Sequence, residues 1–297
     1  MEFKMYNDVK EFHADVFDVL AAHEAQNLII LGNLMVGYEG KDTFGWRNPA
    51  AWVMAAVRDG GTVRLVALMT PPFGMTLYAV DEAGAHCAPL RCLVDGLIAA
   101  GINVPGVMTE KSLAQDFADI YCDIKGLGQH IETSLRIYEL YSVNPVIATT
   151  NTFRVAAERD MAFLPYWVEA FNAVATNAAT SVDADIEKYR YHLLQDRLHV
   201  LEVDSMAVSM AKIGREFMGT AGVALVYTPP YFRGRGYATE LVARLSQKWL
   251  DKGFARCVLY TDLANPTSNS IYQQIGYTPI ADSLDIRFKT QLKEDTQ

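Results

Sequence analysis

The most informative stretch of the sequence is residues 223–245, Val-Ala-Leu-Val-Tyr-Thr-Pro-Pro-Tyr-Phe-Arg-Gly-Arg-Gly-Tyr-Ala-Thr-Glu-Leu-Val-Ala-Arg-Leu. An apolar run typical of a strand ends at Pro229 and Pro230. A loop with two arginines and two glycines follows, and the apolar residues after it have the spacing of an amphipathic helix. Because prolines lack the N–H group that a ladder needs, we predict that they end this strand and separate it from its neighbour.

The loop between this strand and helix has the features of an anion site. Gly234 and Gly236 let the backbone approach a ligand without an intervening Cβ atom. Unpaired N–H groups at a helix N-terminus attract negative charge, and Arg233 and Arg235 add positive charge. The loop therefore predicts a phosphate or pyrophosphate ligand. The alternative is an ordinary glycine-containing turn that carries two solvated arginines.

Two common phosphate-binding motifs do not fit the loop. The P-loop pattern Gly-x-x-x-x-Gly-Lys-Ser/Thr is absent from the sequence. The dinucleotide pattern Gly-x-Gly-x-x-Gly would require a glycine where Thr239 stands, and no acidic residue follows at the spacing of a ribose contact.

Two segments together resemble the GNAT superfamily, the acyl-CoA-dependent N-acetyltransferases. Residues 233–238, Arg-Gly-Arg-Gly-Tyr-Ala, match its signature Arg/Gln-x-x-Gly-x-Gly/Ala. Residues 258–277, Val-Leu-Tyr-Thr-Asp-Leu-Ala-Asn-Pro-Thr-Ser-Asn-Ser-Ile-Tyr-Gln-Gln-Ile-Gly-Tyr, are similar to its second signature, a strand, an asparagine and a helix ending in Tyr-x-x-x-Gly-Phe/Tyr. The resemblance covers about residues 153–288. It implies an α/β (α+β) fold with a mixed, mostly antiparallel sheet flanked by helices.

The resemblance also implies which residues bind acetyl-CoA, the acyl donor. Backbone groups of Val226 and Thr228 would pair with the pantetheine arm, and Asn265 and Asn269 would contact the cofactor from the next strand end and helix. The residues implied to wrap the pyrophosphate through backbone N–H groups are Arg233, Gly234, Arg235, Gly236, Tyr237, Ala238 and Thr239.

Catalysis would need an oxyanion donor, an acid and a base. The N–H group of Val226 or Tyr227 is expected to stabilise the tetrahedral oxyanion. Tyr272 occupies the position at which the family places a tyrosine near the sulfur, where it would protonate the leaving thiolate; the alternative for Tyr272 is a core aromatic.

The general base is the least defined of these groups. The attacking amine must be neutral, yet residues 220–227 lack the glutamate that often serves as base in the family. Glu202 is the candidate base, with Asp204 two residues later on the same strand face. The alternative is a solvated pair at a strand end. Further candidates are Glu158, Asp160 and Asp262.

Composition limits the remaining classes. The chain has 297 residues, of which 51% are hydrophobic, and a formal net charge of −9. These values exclude a disordered chain and argue against nucleic-acid binding.

No apolar run reaches the ~18 residues of a membrane span, and the first residues do not resemble a signal peptide. We expect a cytoplasmic protein, monomer or homodimer, without a membrane partner. The 4 cysteines and 6 histidines lack ligand spacing, so no metal is expected and the thiols are interpreted as buried and reduced.

Hydrophobic periodicity and turn residues predict two segments with a similar order of elements. The first, 1–148, is interpreted as a degenerate GNAT-like copy or an accessory domain, and the second, 149–297, as the acetyltransferase domain. The predicted helices are 7–25, 26–36, 86–100, 110–122, 163–175, 182–196, 236–251 and 266–274. The predicted strands are 51–58, 63–69, 76–80, 104–108, 136–142, 153–157, 199–203, 207–213, 222–227, 257–261 and 277–288.

The predicted function is direct transfer of the acetyl group of acetyl-CoA to an amine of a small molecule or peptide, with a small-molecule acceptor favoured. One rival is a transferase for longer acyl chains or aminoacyl acceptors. The other is a non-catalytic CoA-binding regulatory or scaffold protein that kept the loop and lost the base.

Overall fold

The computed structural model describes residues 1–40, 48–80, 86–145, 149–175, 190 and 197–290. The helices are α1 (Val9–Ala21), α2 (Leu28–Glu39), α3 (Cys87–Ala99), α4 (Lys111–Lys125), α5 (Leu164–Ala175), α6 (Tyr237–Asp251) and α7 (Pro266–Ile275). The strands are β1 (Glu2–Tyr6), β2 (Val53–Asp59), β3 (Thr62–Met69), β4 (Met75–Ala79), β5 (Gly106–Glu110), β6 (Leu127–Leu140), β7 (Thr152–Val155), β8 (Leu198–Val203), β9 (Met206–Phe217), β10 (Thr220–Tyr227), β11 (Arg256–Asp262) and β12 (Thr278–Thr290).

The chain forms two compact units, of which the first is discontinuous in sequence. The first unit is Met1–Arg136 together with the chain from Ala281 onward, and the second is Ile137–Ile280. The division therefore passes through β6 and β12, which each supply residues to both units. The predicted cut at 148/149 would leave each of these strands whole on one side.

In the first unit the strand order is β1-β2-β3-β4-β5-β12. Neighbours are antiparallel except for β4 and β5, which are parallel. One core of this unit joins apolar residues of β2, β3 and β5 to the inward faces of α3 and α4, including Leu97 and Phe117. Helix α1 begins where the Asp8 carboxylate accepts from the N–H of Lys10 at 2.6 Å, a normal N-cap.

In the second unit the strand order is β6-β11-β10-β9-β8-β7. β7, β8, β9 and β10 pair antiparallel in turn, whereas β10 and β11 are parallel. One core packs α6 and α7 against the sheet around Leu241, Leu245 and Trp249. A second core packs α5 against β8 and β9. Strands and helices thus confirm the predicted fold class, a mixed, mostly antiparallel sheet structure flanked by helices.

Most predicted elements match the structure to within a few residues, and two differ. β6 begins at Leu127, although the sequence predicts a strand only from Arg136, because polar residues such as Gln129 and Glu132 occupy this half-exposed strand and hide its alternation. The five-residue β1 was not predicted. The predicted charged helix 182–196 lies almost entirely outside the described residues.

Candidate functional site

The two parallel strands of the second unit separate part of the way along. β10 and β11 pair from Thr220↔Arg256 to Val223↔Leu259. Beyond Val223, the remaining strand residues Ala224–Tyr227 have no register partner on the described part of β11. We call this opening the strand fork. It exposes main-chain donors and acceptors to an extended ligand, as a sheet edge does in strand addition.

A β-bulge, rather than the two prolines, accompanies the separation. The register of β10 against β9 shifts between Ala224 and Tyr227, and Leu225 has a φ of 52°, a left-handed conformation that costs a branched residue of the order of 1–3 kcal/mol. The sequence prediction placed the cause at Pro229 and Pro230, but separation starts after Val223. Pro229 and Pro230 only end the strand.

The bulge changes which face each later side chain occupies. Val223 and Val226 pack on the α6 side of the sheet, whereas Leu225 and Tyr227 pack on the α5 side. Regular alternation would place Tyr227 on the same face as Val223, and the inserted residue reverses this. Tyr227 therefore lies against Trp167 of α5, with ring centroids 6.0 Å apart.

The end of β10 is fixed by a buried hydroxyl. Ser209 Oγ of β9 lies 3.2 Å from the carbonyl oxygen of Tyr227 and 2.9 Å from Thr228 Oγ1. Ser209 itself is fully buried. It thus ties β10 back to β9 immediately after the bulge, at the residues that the sequence predicts to contact pantetheine.

The arginine–glycine loop follows the fork and leads into α6. Gly234 and Gly236 have φ values of 75° and 77°, and a Cβ atom added to either would meet no atom of the described residues within 4 Å. Gly236 is the N-cap of α6 and no side chain caps the helix, so the N–H groups of Tyr237, Ala238 and Thr239 begin a helix without a side-chain acceptor.

The two arginines of the loop have different surroundings. Arg233 Nε donates to the carbonyl oxygen of Thr228 at 2.9 Å, which closes the loop on itself. Arg235 is exposed between the two glycines. The open glycine positions, the uncapped start of α6 and the two arginines have the features that an anion site needs, and pyrophosphate binding stays a prediction.

The two asparagines of the second motif lie together at the start of α7. Asn265 caps the helix by accepting from the N–H of Ser268 at 3.0 Å. Asn269 Nδ2 donates to the carbonyl oxygens of Asp262 and Asn265 at 2.9 and 2.8 Å, and its Oδ1 accepts from the Tyr138 hydroxyl at 3.0 Å. Both side chains therefore have structural partners, and their contact with a cofactor stays a prediction.

Tyr272 lies one turn after Asn269 and is 6% exposed. Its ring contacts the rings of Tyr138 and Tyr277, at 6.3 and 5.9 Å between centroids. Among the described residues its hydroxyl has no hydrogen-bond partner. Burial raises the pKa of the Tyr272 phenol above its usual value, so the group holds its proton and is a donor rather than a base.

The surroundings of Glu202 argue against the predicted role of general base, which stays a prediction. Arg154 and Arg159 hold one oxygen of its carboxylate at 2.6 and 2.8 Å. The hydrogen bond from Arg154 lowers the pKa of Glu202 below its ordinary value, which weakens it as a proton acceptor. Asp204 does not share its face, since β8 ends at Val203 and Asp204 lies in the following turn with a φ of 48°.

The other carboxylates suggested by the sequence also have partners. Asp160 accepts from Arg154 and from the N–H of Ala157, Glu158 pairs with Arg190, and Asp262 accepts from the N–H of Ala264. They order the second unit. A role as base for any of these carboxylates stays a prediction.

The cysteines are free thiols. Cys122 and Cys257 are buried, and burial raises their pKa to about 11 and about 12, so both stay protonated near neutral pH. Cys87 is exposed, contrary to the expectation that all four are buried. In the part of the chain that the structure describes, no cluster of three or more histidine, cysteine or acidic side chains could hold a metal ion.

The parallel pair of the first unit also separates early, but a side chain bridges it. β4 and β5 pair only at Met75↔Val107 and Thr76↔Met108. Beyond them the Thr109 hydroxyl donates to the carbonyl oxygen of Leu77 at 2.6 Å and occupies the opening. Residues 81–85, which follow β4, are outside the described residues.

Sequence reasoning missed three residues of the second unit: Tyr138, Ser209 and Leu225. The hydroxyl of Ser209 and the bulge at Leu225 act through long-range pairing, which a local pattern does not show. Tyr138 precedes the predicted boundary at 148/149, so its strand was assigned to the other half of the chain.

One protein-family model matches part of the second unit. The family described as FR47-like protein matches residues 210–285, which include β10, the loop, α6, β11 and α7. Among curated proteins, no sequence matches the chain significantly. Over the described residues, no helix is long and apolar enough to cross a bilayer.

Solved structures share the fold at low identity. A GNAT-family acetyltransferase from Colwellia psychrerythraea is 12% identical and has a TM-score of 0.56, with 98% of this chain and 100% of that chain covered. A GCN5-related N-acetyltransferase from Sphaerobacter thermophilus is 14% identical, with a TM-score of 0.57 and coverage of 98% and 96%. A Drosophila protein is 11% identical, with a TM-score of 0.64 and coverage of 97% and 98%. The chain thus has the fold of the GNAT acetyltransferases, and the match of residues 210–285 to the FR47-like family confirms the resemblance seen in its two motifs.

Proposed function

We propose that the protein is an N-acetyltransferase that transfers the acetyl group of acetyl-CoA directly to an amine, with a small molecule as the acceptor. The observation that carries the proposal is the strand fork, which opens directly into the arginine–glycine loop at the start of α6. An extended donor with a pyrophosphate at one end needs an open strand edge and an anion cradle in this order.

The donor is held by backbone groups along its length. Main-chain groups of Val226, on the free edge of β10, and of Thr228, directly after this strand, pair with the pantetheine amides. The N–H groups from Gly234 to Thr239, with Arg233 and Arg235, bind the pyrophosphate.

The chemical step is a single acyl transfer. The neutral amine attacks the thioester carbonyl carbon, and the N–H of Val226 or Tyr227 donates to the oxyanion that forms. The C–S bond then breaks as the thiolate takes a proton from the Tyr272 hydroxyl. The amine proton leaves to water, because the predicted carboxylate base is paired with two arginines, and Tyr272 regains its proton from solvent.

A turnover assay tests the proposal. The purified chain is incubated with acetyl-CoA and a panel of polyamines, amino acids, amino sugars, aralkylamines and short peptides, and thiol release and acetylated amine are measured together. We expect at least one amine to give equal amounts of both products. Thiol release that never exceeds the buffer rate with any amine contradicts the proposal.

The alternative is a non-catalytic CoA-binding protein. The observation in its favour is the pairing of Glu202 with Arg154 and Arg159, which leaves no assigned base. CoA binding by calorimetry together with zero turnover, and no effect of Tyr272→Phe on any property, would support it.

A further inference from the structure

Tyr138 joins a strand to the helix that carries Tyr272. It lies on β6, is fully buried, and belongs to the second unit. Its hydroxyl donates to Asn269 Oδ1 at 3.0 Å and accepts from Gln273 Nε2 at 3.3 Å. These partners are four residues apart on α7, so a single hydroxyl contacts two successive turns of one helix face.

The contact at Asn269 extends to the neighbouring strand. Asn269 Nδ2 donates to the carbonyl oxygen of Asp262, the last residue of β11, and to that of Asn265, the helix cap. The chain of bonds therefore runs from β6 through Tyr138 and Asn269 to the end of β11. These bonds fix the position of α7 on the sheet of its own unit and its rotation about the helix axis.

Tyr272 lies between the two anchored residues. It follows Asn269 by one turn and precedes Gln273 directly, and its ring packs on that of Tyr138. Its own hydroxyl has no hydrogen-bond partner in the described chain. The position of this hydroxyl is consequently set by the placement of α7 and by ring packing, and not by a bond of its own.

We propose that Tyr138 is a positioning residue for Tyr272, holding α7 through Asn269 and Gln273 so that the Tyr272 hydroxyl reaches the leaving sulfur. The proposal rests on the proposed function, since it requires Tyr272 to act as the acid. Catalytic geometry tolerates displacements of only about 0.5 Å. The loss of the Tyr138 hydroxyl is therefore expected to lower the rate without removing the acetyl-CoA site.

Tyr277 provides a matched control. It is also a buried tyrosine whose ring packs on Tyr272. Its hydroxyl, however, is hydrogen-bonded to Ser246 Oγ of α6 at 2.8 Å, whereas the hydroxyl of Tyr138 is bonded to α7. Tyr277→Phe therefore removes a buried hydroxyl from a ring that packs on Tyr272 and leaves the bonds of Tyr138 to α7 intact.

A double-mutant cycle tests the proposal. We expect Tyr138→Phe to lower kcat about tenfold, with KM for acetyl-CoA nearly unchanged. In the Tyr272→Phe background, Tyr138→Phe should lower kcat no further. The loss of kcat in Tyr138→Phe should be clearly larger than the loss in Tyr277→Phe. Gln273→Ala, at an exposed residue, should give a smaller loss of kcat that also vanishes in that background, and thermal unfolding reports whether each variant folds.

The outcomes separate this inference from the proposed function. Three results would overturn the positioning role alone. The losses of kcat in Tyr138→Phe and Tyr272→Phe multiply in the double variant, or kcat is unchanged in both Tyr138→Phe and Gln273→Ala. The third result is a loss of kcat in Tyr277→Phe that equals the loss in Tyr138→Phe. A Tyr272→Phe variant as fast as the wild type overturns the acid role in the proposed function, and the positioning role with it.

Discussion

Val223 of β10 pairs with Leu259 of β11 in parallel register, and it is the last residue of β10 to do so. The next residues of β10 leave β11 and form the bulge at Leu225. Hydrogen-bonded strands lie about 4.8 Å apart, so an extended chain of another molecule enters only where such a pair has parted. In the proposed function, the position of this last pair therefore sets where the thioester of acetyl-CoA would lie.

The loop arginines are expected to act only on donors that carry phosphate. Arg233→Gln combined with Arg235→Gln should raise KM for acetyl-CoA about tenfold or more, because two cations near the pyrophosphate are lost. The same variant should leave the slower reaction with S-acetylpantetheine unchanged, since that donor has no pyrophosphate. Steady-state kinetics with both donors measures this. Equal losses for both donors contradict a pyrophosphate contact and indicate a general defect of the loop.

Tyr272→Phe is expected to lower kcat about 100-fold through loss of the proton donor, with little change in KM. Since burial raises the pKa of Tyr272, the phenol stays protonated as the pH rises through about 10, the usual tyrosine pKa. The wild-type rate should therefore show no loss that is due to Tyr272 up to this pH. A fall of kcat with a midpoint below pH 9 that disappears in Tyr272→Phe would contradict the assignment.

Glu202→Gln is expected to change stability and not the pH dependence of the reaction. The pKa of Glu202 is lowered by Arg154, so its stabilising effect is present above the unfolded pKa of about 4.3 and is lost as the pH falls through the lower folded value. We expect a loss of about 1–3 kcal/mol at pH 7, measured by urea unfolding, and a smaller difference from the wild type near pH 4.

Kinetics of the same variant tests the base. Below the pKa of the acceptor amine, kcat/KM should rise about tenfold per pH unit in both proteins, because the neutral amine is the reactant. Loss of this slope, or a kcat more than 100-fold lower in Glu202→Gln with the fold intact, would restore Glu202 as the base.

The sequence predicts the second unit well because its local signals agree with its tertiary structure. The glycines at 234 and 236 and the helix face of Leu241, Leu245 and Trp249 are local features. Each depends on near neighbours in the chain, so a single sequence suffices.

Long-range features escaped prediction. The exchange of strand residues between units, in which the chain from Ala281 joins the first unit, has no local signature. The arginine partners of Glu202 come from the segment 154–159, more than forty residues away in the chain. Strand alternation predicts Glu202 and Asp204 on the same strand face, but the strand ends at Val203 and Asp204 lies in the turn that follows.

Calorimetric titration of CoA into wild type, Gly236→Val and Gly253→Val measures whether the arginine–glycine loop binds CoA. Gly253 is the matched control, since it too has a left-handed φ, 97°, and open space at its Cβ position, but follows α6 at its other end. A side chain in this conformation costs about 1–2 kcal/mol in both variants. We predict one CoA per chain for the wild type, a Kd raised about 100-fold or more in Gly236→Val, and near wild-type binding in Gly253→Val. Undiminished CoA binding by a folded Gly236→Val variant would show that this loop does not bind CoA.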